Sequence, residues 1–225
     1  MKRKSLIVAF GSLLLCVGFL PNTGFALSVG EAINTIADRL AAEQIQQGDF
    51  LGTWPAEADF TGSIVAGMAG AYRATSQSAY KTSAERGGDY ILWSAQGNYF
   101  GDEAFALTRL SQIAADPNNN AWRTAVSGFY ASVKTDYPGS TQEYINGFFG
   151  TEPSTAVFYV ANHVVAAYYV NAADKEIWRQ GLIKWLSRVD DFSQFPVMAL
   201  GVATWALAQT GPLDSSLITP SGEGA

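Results

Sequence analysis

Carboxylates and aromatic rings recur together at four places along the chain, each followed by an apolar stretch. The first of these stretches runs from Gly48 to Ala74, and the others begin at Gly97, Asn146 and Asp190. Aromatic rings can stack on the C–H faces of sugars, and carboxylates accept hydrogen bonds from hydroxyl groups. We therefore expect an acidic-aromatic site formed by Asp49, Asp59, Asp102, Glu103, Glu152, Asp190 and Asp191 with Phe50, Trp54, Tyr99, Phe100, Phe148, Phe149, Phe192 and Phe195.

Two carboxylates at a suitable separation can hydrolyse a glycosidic bond, and burial raises the pKa of the one that acts as the acid. Acids are also favoured at helix starts by capping and by the helix dipole, and aromatic rings there can simply fill the core. Both interpretations stay open from the residues alone. The candidate catalytic carboxylates are Asp59, Asp102 and Glu103, and the candidate ligand-binding residues are Trp54, Tyr99, Phe149, Tyr159 and Asn162.

His163 is the only histidine of the chain and lies in an apolar stretch. Tyr159, Asn162 and His163 follow Thr155 by four, seven and eight residues, so these side chains share one face of a helix. A histidine beside a tyrosine can transfer protons in a hydrolase or lyase, and a buried core histidine is the alternative. Because one histidine and scattered acids lack the spacing of metal ligands, no metal and no other cofactor is predicted.

Arg73 and Arg109 occupy comparable positions late in the first two apolar stretches. An arginine that faced inward there could neutralise a carboxylate of a substrate. The alternative is that cations are favourable near the C-terminus of any helix.

The elements that must position these residues are predicted to be helices. Over residues 28–46 the apolar positions recur at three- and four-residue steps, and Ser28 and Glu31 have the spacing of a capping box. A polar helix then alternates with a helix of small apolar residues along the chain. This alternation predicts an all-α fold of tandem α/α hairpins, about eight helices that form an arc or partial α/α toroid. The later helices are expected over 59–74, 79–94, 102–115, 121–136, 153–170, 175–188 and 195–209.

The first 26 residues have the pattern of a secretory signal peptide. Basic residues at 2–4 precede an apolar run over 6–20, which is shorter than the ~20 residues of a membrane span. We expect export through the Sec pathway to an extracellular, periplasmic or cell-surface location, and no stable membrane span in the mature chain. The only cysteine, Cys16, lies in this segment, which excludes disulfides and cysteine-bound zinc from the mature chain.

The chain carries a net charge of −6, and loss of the signal peptide makes it more negative. An anionic surface without Lys and Arg clusters repels nucleic acid, so no nucleic-acid partner is expected. The predicted organisation is a signal peptide at 1–26, an α/α-hairpin domain at 27–212 and an irregular tail at 213–225. Because the tail has no periodicity, we expect it to mark a possible truncation point.

A resemblance to a known superfamily rests on two stretches. The hairpin alternation, with a Gln-x-x-x-x-Gly-x-Trp element from Gln47 to Trp54, resembles the α/α-toroid of terpenoid cyclases, protein prenyltransferases and related polysaccharide enzymes. The stretch from Met198 to Asp214 is similar to exported bacterial toroid proteins, which often carry a PEP-CTERM surface-sorting tail. The resemblance implies a ring of hairpins whose inner helices line a central cavity.

The catalytic residues of that superfamily do not carry over. The Asp-x-Asp-Asp acid of squalene-hopene-type cyclases has no counterpart, since the sequence from Val189 to Asp191 keeps only two adjacent acids. The zinc ligands of prenyltransferases cannot be assembled without a mature cysteine. Terpenoid chemistry is therefore not expected.

The favoured hypothesis is recognition of an extracellular ligand, a glycan, at the concave acidic-aromatic site. One alternative is a glycoside hydrolase or polysaccharide lyase that uses the carboxylates and His163. Another is a non-catalytic surface or matrix protein. A hydrolase needs two facing carboxylates about 5 to 9.5 Å apart. A binder needs exposed aromatic platforms, whereas a scaffold would fill the concave acidic-aromatic site with its own side chains.

Overall fold

The computed structural model describes residues 27–55, 60–136, 145, 153–187 and 196–211. These ranges contain eight helices and no strand, which confirms the all-α prediction. None of these helices has the length and apolar character needed to cross a membrane. The helices are α1 (Val29–Glu43), α2 (Thr61–Thr75), α3 (Ser78–Ala95), α4 (Gly101–Ile113), α5 (Ala121–Asp136), α6 (Pro153–Tyr169), α7 (Lys175–Leu186) and α8 (Pro196–Thr210).

The helices form two layers. The inner layer is a row in which α2 packs on α4, α4 on α6, and α6 on α8. The outer helices α1, α3, α5 and α7 pack against this row, each chiefly on its hairpin partner. The prediction of tandem hairpins is thus confirmed, and their arrangement as an arc or partial toroid stays a prediction.

A cap at the start of α1 and the loop between α1 and α2 hold the first hairpin. Ser28 and Glu31 form the predicted capping box, since the Glu31 carboxylate accepts from the Ser28 N–H at 2.7 Å. The buried Gln44 amide donates to the carbonyl oxygens of Gly52 at 2.9 Å and Ser83 at 2.8 Å. These bonds satisfy loop carbonyl groups and tie the loop to α3.

The small residues of the inner helices have two different surroundings. A Cβ added at Gly101 would lie 1.9 Å from the carbonyl oxygen of Tyr159, and one at Gly62 would lie 2.7 Å from the Asp102 carboxylate. Glycine is required there because the starts of α2 and α4 and the flank of α6 approach at backbone distance. In contrast, a Cβ at Gly67 or Gly70 would meet nothing within 4 Å.

Candidate functional site

The N-terminal halves of the four inner helices meet at one end of the inner layer, which we call the mouth. Its cavity has a volume of only about 40 Å³. This volume is far below the ~300–1,000 Å³ of small-molecule sites, so the cavity has no room for a sugar ring. The mouth is lined by Phe60, Ser63, Asp102, Thr155, Phe158, Tyr159 and Met198.

Asp102 is the carboxylate of the mouth, and it is almost completely enclosed. Its side chain lies in the first turn of α4, the residue is 5% exposed, and Oδ2 accepts from the Ser63 hydroxyl at 3.3 Å. Burial raises the pKa of Asp102 to about 6, although hydrogen bonds from Ser63 and the α4 backbone oppose this shift. A proton on this group is therefore retained to a much higher pH than in an exposed aspartate.

Glu103 caps the start of α4. Its carboxylate accepts from the Phe100 backbone N–H at 2.9 Å, and burial raises its pKa to about 7. Because consecutive residues of a helix point in directions about 100° apart, Asp102 and Glu103 do not face each other across a substrate. Asp59, the third candidate carboxylate, lies outside the described residues.

His163 lies in the core between α6, α5 and α7, and it lines neither the mouth nor the groove described below. Its ring stacks on Phe129 at a centroid distance of 5.4 Å and lies 4.5 Å from that of Trp178. The Tyr130 hydroxyl lies 2.8 Å from Nδ1 and donates to the His163 carbonyl at 3.0 Å. Burial lowers the pKa of His163 to about 3, so the ring stays neutral.

Two predicted ligand-binding residues serve the core instead. Trp54, expected as a stacking platform, is only 3% exposed, and its Nε1 donates to the Leu40 carbonyl at 2.7 Å. Asn162 is buried, and its amide donates to the Phe158 carbonyl at 2.9 Å within α6. The expectation that these two side chains face a ligand is corrected: a ring and an amide with internal partners fill the hairpin interior.

The other predicted residues are divided between two places. Tyr159 lies at the mouth, where its ring centroid is 5.6 Å from that of Phe100. Tyr99 lies in a separate groove. Seven further candidates lie outside the described residues, namely Glu152, Asp190, Asp191, Phe148, Phe149, Phe192 and Phe195.

The larger cavity, which we call the groove, lies between the α3–α4 turn and α5. It is open and has a volume of about 450 Å³, which falls within the ~300–1,000 Å³ range of small-molecule sites. No charged residue lines it within the described part of the chain. Its lining residues are Gln96, Gly97, Asn98, Tyr99, Thr124, Ala125, Gly128, Phe129 and Ser132.

Two exposed amides and two hydroxyl groups face this space. The side-chain amides of Gln96 and Asn98 make no hydrogen bond within the described part of the chain. The hydroxyl of Thr124 donates to the Asn120 carbonyl at 3.0 Å and that of Ser132 to the Phe129 carbonyl at 2.9 Å. Because each hydroxyl oxygen keeps lone pairs, the walls offer both donors and acceptors to a ligand.

The floor of the groove is aromatic. The rings of Tyr99 and Phe129 meet edge to face with centroids 5.7 Å apart, and each residue is 3% exposed. The turn above them has positive φ angles, 49° at Gln96 and 89° at Gly97. Glycine at position 97 adopts its angle without steric cost. A Cβ atom added at Gly128 would meet no atom within 4 Å, so the groove is open along that side of α5.

An exposed aromatic cluster covers the C-terminal part of α3, the helix that leads into this turn. Trp93 is 63% exposed, and its ring centroid is 5.7 Å from that of Tyr90. Tyr90 in turn lies 6.5 Å from Phe50, which is 55% exposed. Trp93 thus presents the solvent-facing ring that was expected of Trp54.

Most groove residues escape prediction because they are neutral polar residues on exposed helix ends. Only Tyr99 belongs to the predicted set. A usable signal is Gly128, since a glycine inside a helix costs roughly 1 kcal/mol relative to alanine and calls for a reason. The pairing of the α3–α4 turn with α5 is a tertiary contact that no local pattern encodes.

No protein-family model, curated protein or solved structure matches this chain. The interpretation of the groove and the mouth therefore depends on their geometry and chemistry. Within the described ranges, no group of three His, Cys, Asp or Glu residues is placed to hold a metal ion.

Proposed function

We propose that this chain is an exported binding protein that holds a neutral glycan in the groove. The observation that carries the proposal is the combination of a ligand-sized volume and uncharged hydrogen-bonding walls. Sugar hydroxyl groups are donors and acceptors at once, and side-chain amides and hydroxyl groups can serve both needs. An uncharged lining also avoids the cost of desolvating a charge when a neutral ligand binds.

Binding is favoured over glycoside hydrolysis or polysaccharide elimination. Asp102 is enclosed at the mouth, and Glu103 is engaged in capping α4. His163 lies in a different part of the core, where it stays neutral. These placements separate the groups that a hydrolase or lyase would have to bring to one sugar.

Location and architecture belong to the same proposal. The signal-peptide pattern of residues 1–26 supports export, and the acidic composition argues against a nucleic-acid partner. The row of inner helices is compatible with a partial toroid. We place the glycan site on the outer side of this row, at the groove, rather than on its concave face.

A surface or matrix scaffold is the second candidate. The observation in its favour is the mouth, where the chain's own side chains leave a cavity of only about 40 Å³. A scaffold does not need an open polar groove. A measurement of glycan binding therefore distinguishes the two functions.

The test is a glycan-array screen of the mature chain with two leucine variants. Gly128→Leu fills the groove, and Gly201→Leu adds the same side chain on α8, where a Cβ likewise meets nothing within 4 Å. We expect wild type and Gly201→Leu to give the same pattern of neutral glycans, and Gly128→Leu to lose at least about tenfold in signal. No signal from wild type, or equal signal from all three proteins, contradicts the proposal.

A further inference from the structure

Two arginines from neighbouring inner helices converge at the end of the inner layer opposite the mouth. Arg73 lies in the last turn of α2, and Arg109 lies in the second half of α4. Both donate to one oxygen, the side-chain Oε1 of Gln112, at 3.1 and 2.9 Å respectively. We call Arg73 and Arg109 the arginine pair.

The arginine pair has no carboxylate partner within the described part of the chain. The two ion pairs found there join Arg39 to Glu43 and Lys81 to Glu85. Two guanidinium groups that share one neutral acceptor repel each other, and an anion between them relieves that repulsion. Burial, and secondarily the charge of Arg73, lowers the pKa of Arg109.

Aromatic rings hold one member of the pair in place. The guanidinium carbon of Arg109 lies 4.8 Å from the Phe105 ring centroid and 5.5 Å from that of Trp205. Phe105 and Trp205 come from α4 and α8 and meet edge to face at 5.5 Å. A guanidinium held on ring faces loses less rotamer freedom when its N–H edge binds an oxoanion.

We propose that the arginine pair binds a carboxylate group of a ligand. Arg73 lies in the last turn of α2, where the helix dipole offsets part of its charge, whereas Arg109 lies before the last turn of α4. The arginine pair therefore keeps a net positive charge, which a carboxylate complements. Arginines that served only the helix dipole would donate to the terminal carbonyl groups, whereas Arg73 and Arg109 donate to Gln112.

This site is distinct from the groove and does not depend on the glycan proposal, since the two share no residue. A carboxylate has two sources that the arginine pair would recognise alike, a free organic acid or a uronate unit of an acidic polysaccharide. Succinate and trigalacturonate represent these two sources. The methyl ester of trigalacturonate has nearly the same shape without the charge.

The experiment is calorimetric titration of the mature chain and three variants with these probes. Arg73→Gln and Arg109→Gln each remove one member of the pair. Arg39→Gln makes the same change in net charge on the exposed face of α1. Thermal unfolding of each variant verifies that it is folded, and Arg73, which is exposed, provides the substitution least able to disturb packing.

We expect succinate or trigalacturonate to bind wild type and Arg39→Gln with equal affinity. Arg73→Gln and Arg109→Gln should each weaken that binding at least about tenfold, as for lost charge-assisted hydrogen bonds. Binding of succinate alone identifies a free organic acid, and binding of trigalacturonate alone identifies a uronate polymer. The proposal is overturned if neither acid binds, if the methyl ester binds as well as the acid, or if both arginine variants bind like wild type.

Discussion

The mouth and the groove differ in the two properties that a binding site needs, space and available polar groups. The mouth contains Asp102, whose pKa is raised, but its cavity is about 40 Å³ and Asp102 is 5% exposed. The groove has no charged lining residue among those that the structure describes, but its volume is about 450 Å³ and the amides of Gln96 and Asn98 face solvent. In this fold the residues that look most reactive are the ones most engaged in packing.

The helix ends account for this difference. The inner helices approach closely at Gly62 and Gly101. They leave little volume between their first turns, so Asp102 is enclosed by its neighbours. The α3–α4 turn and α5 are farther apart, and Gly128 adds no side chain to the gap. Substitutions at matched positions in the two regions should therefore have opposite effects.

The largest expected effect is that of Gly101→Ala at the mouth. Its methyl group would lie 1.9 Å from the Tyr159 carbonyl oxygen, so α4 and α6 must separate. We expect the free energy of unfolding, measured by urea denaturation, to fall by about 3 kcal/mol or more. A variant within about 0.5 kcal/mol of wild type would mean that the mouth is not tightly packed.

Asp102→Asn should change the pH dependence of stability. The pKa of Asp102 is about 6 in the folded chain and about 3.9 in an unfolded one, so the folded state holds the proton more tightly. Its stabilising contribution is complete below about pH 4 and is lost as the pH rises through about 6. The asparagine variant should match wild type near pH 4 and exceed it by about 2 kcal/mol near pH 8.

Urea denaturation at these two pH values checks the prediction. Glu103, whose pKa is about 7, remains in the variant and gives both proteins a further decrease toward high pH. An asparagine variant that is destabilised near pH 8 but not near pH 4 would indicate that Asp102 has a favourable partner as an anion.

Gly128→Ala should have the opposite sign to Gly101→Ala. A Cβ at position 128 meets nothing within 4 Å, and alanine is a better helix former than glycine. We expect a gain of about 0.5–1 kcal/mol in the free energy of unfolding. A loss of stability at this position would show that α5 is packed more closely there than the groove allows.

The smallest expected effect on stability is that of Asn98→Ala in the groove. The Asn98 amide makes no hydrogen bond within the described residues, so unfolding free energy should change by less than about 0.5 kcal/mol. Affinity for a groove-bound glycan should nevertheless fall about tenfold, because a hydrogen bond to the ligand is lost. Wild-type affinity in this variant would remove Asn98 from the site.

Periodicity and capping patterns predicted the helices because amphipathic spacing is a local signal. The structure begins α1 at Val29 with Ser28 as its cap, and α6 at Pro153, as the sequence indicates. Which carboxylates would be enclosed could not be predicted, since Asp102 is buried by the approach of α2 and α6. The same limit applies to Trp54, whose indole partner Leu40 lies 14 residues away in the sequence.

Glycan affinity in Gly128→Leu and Asp102→Asn distinguishes the groove from the mouth most directly, and calorimetry with the ligand that gives the strongest array signal measures it. We expect Asp102→Asn to bind like wild type and Gly128→Leu to lose at least about tenfold in affinity, because the ligand occupies the groove. Lost binding in Asp102→Asn with full affinity in Gly128→Leu would contradict this expectation and place the site at the mouth.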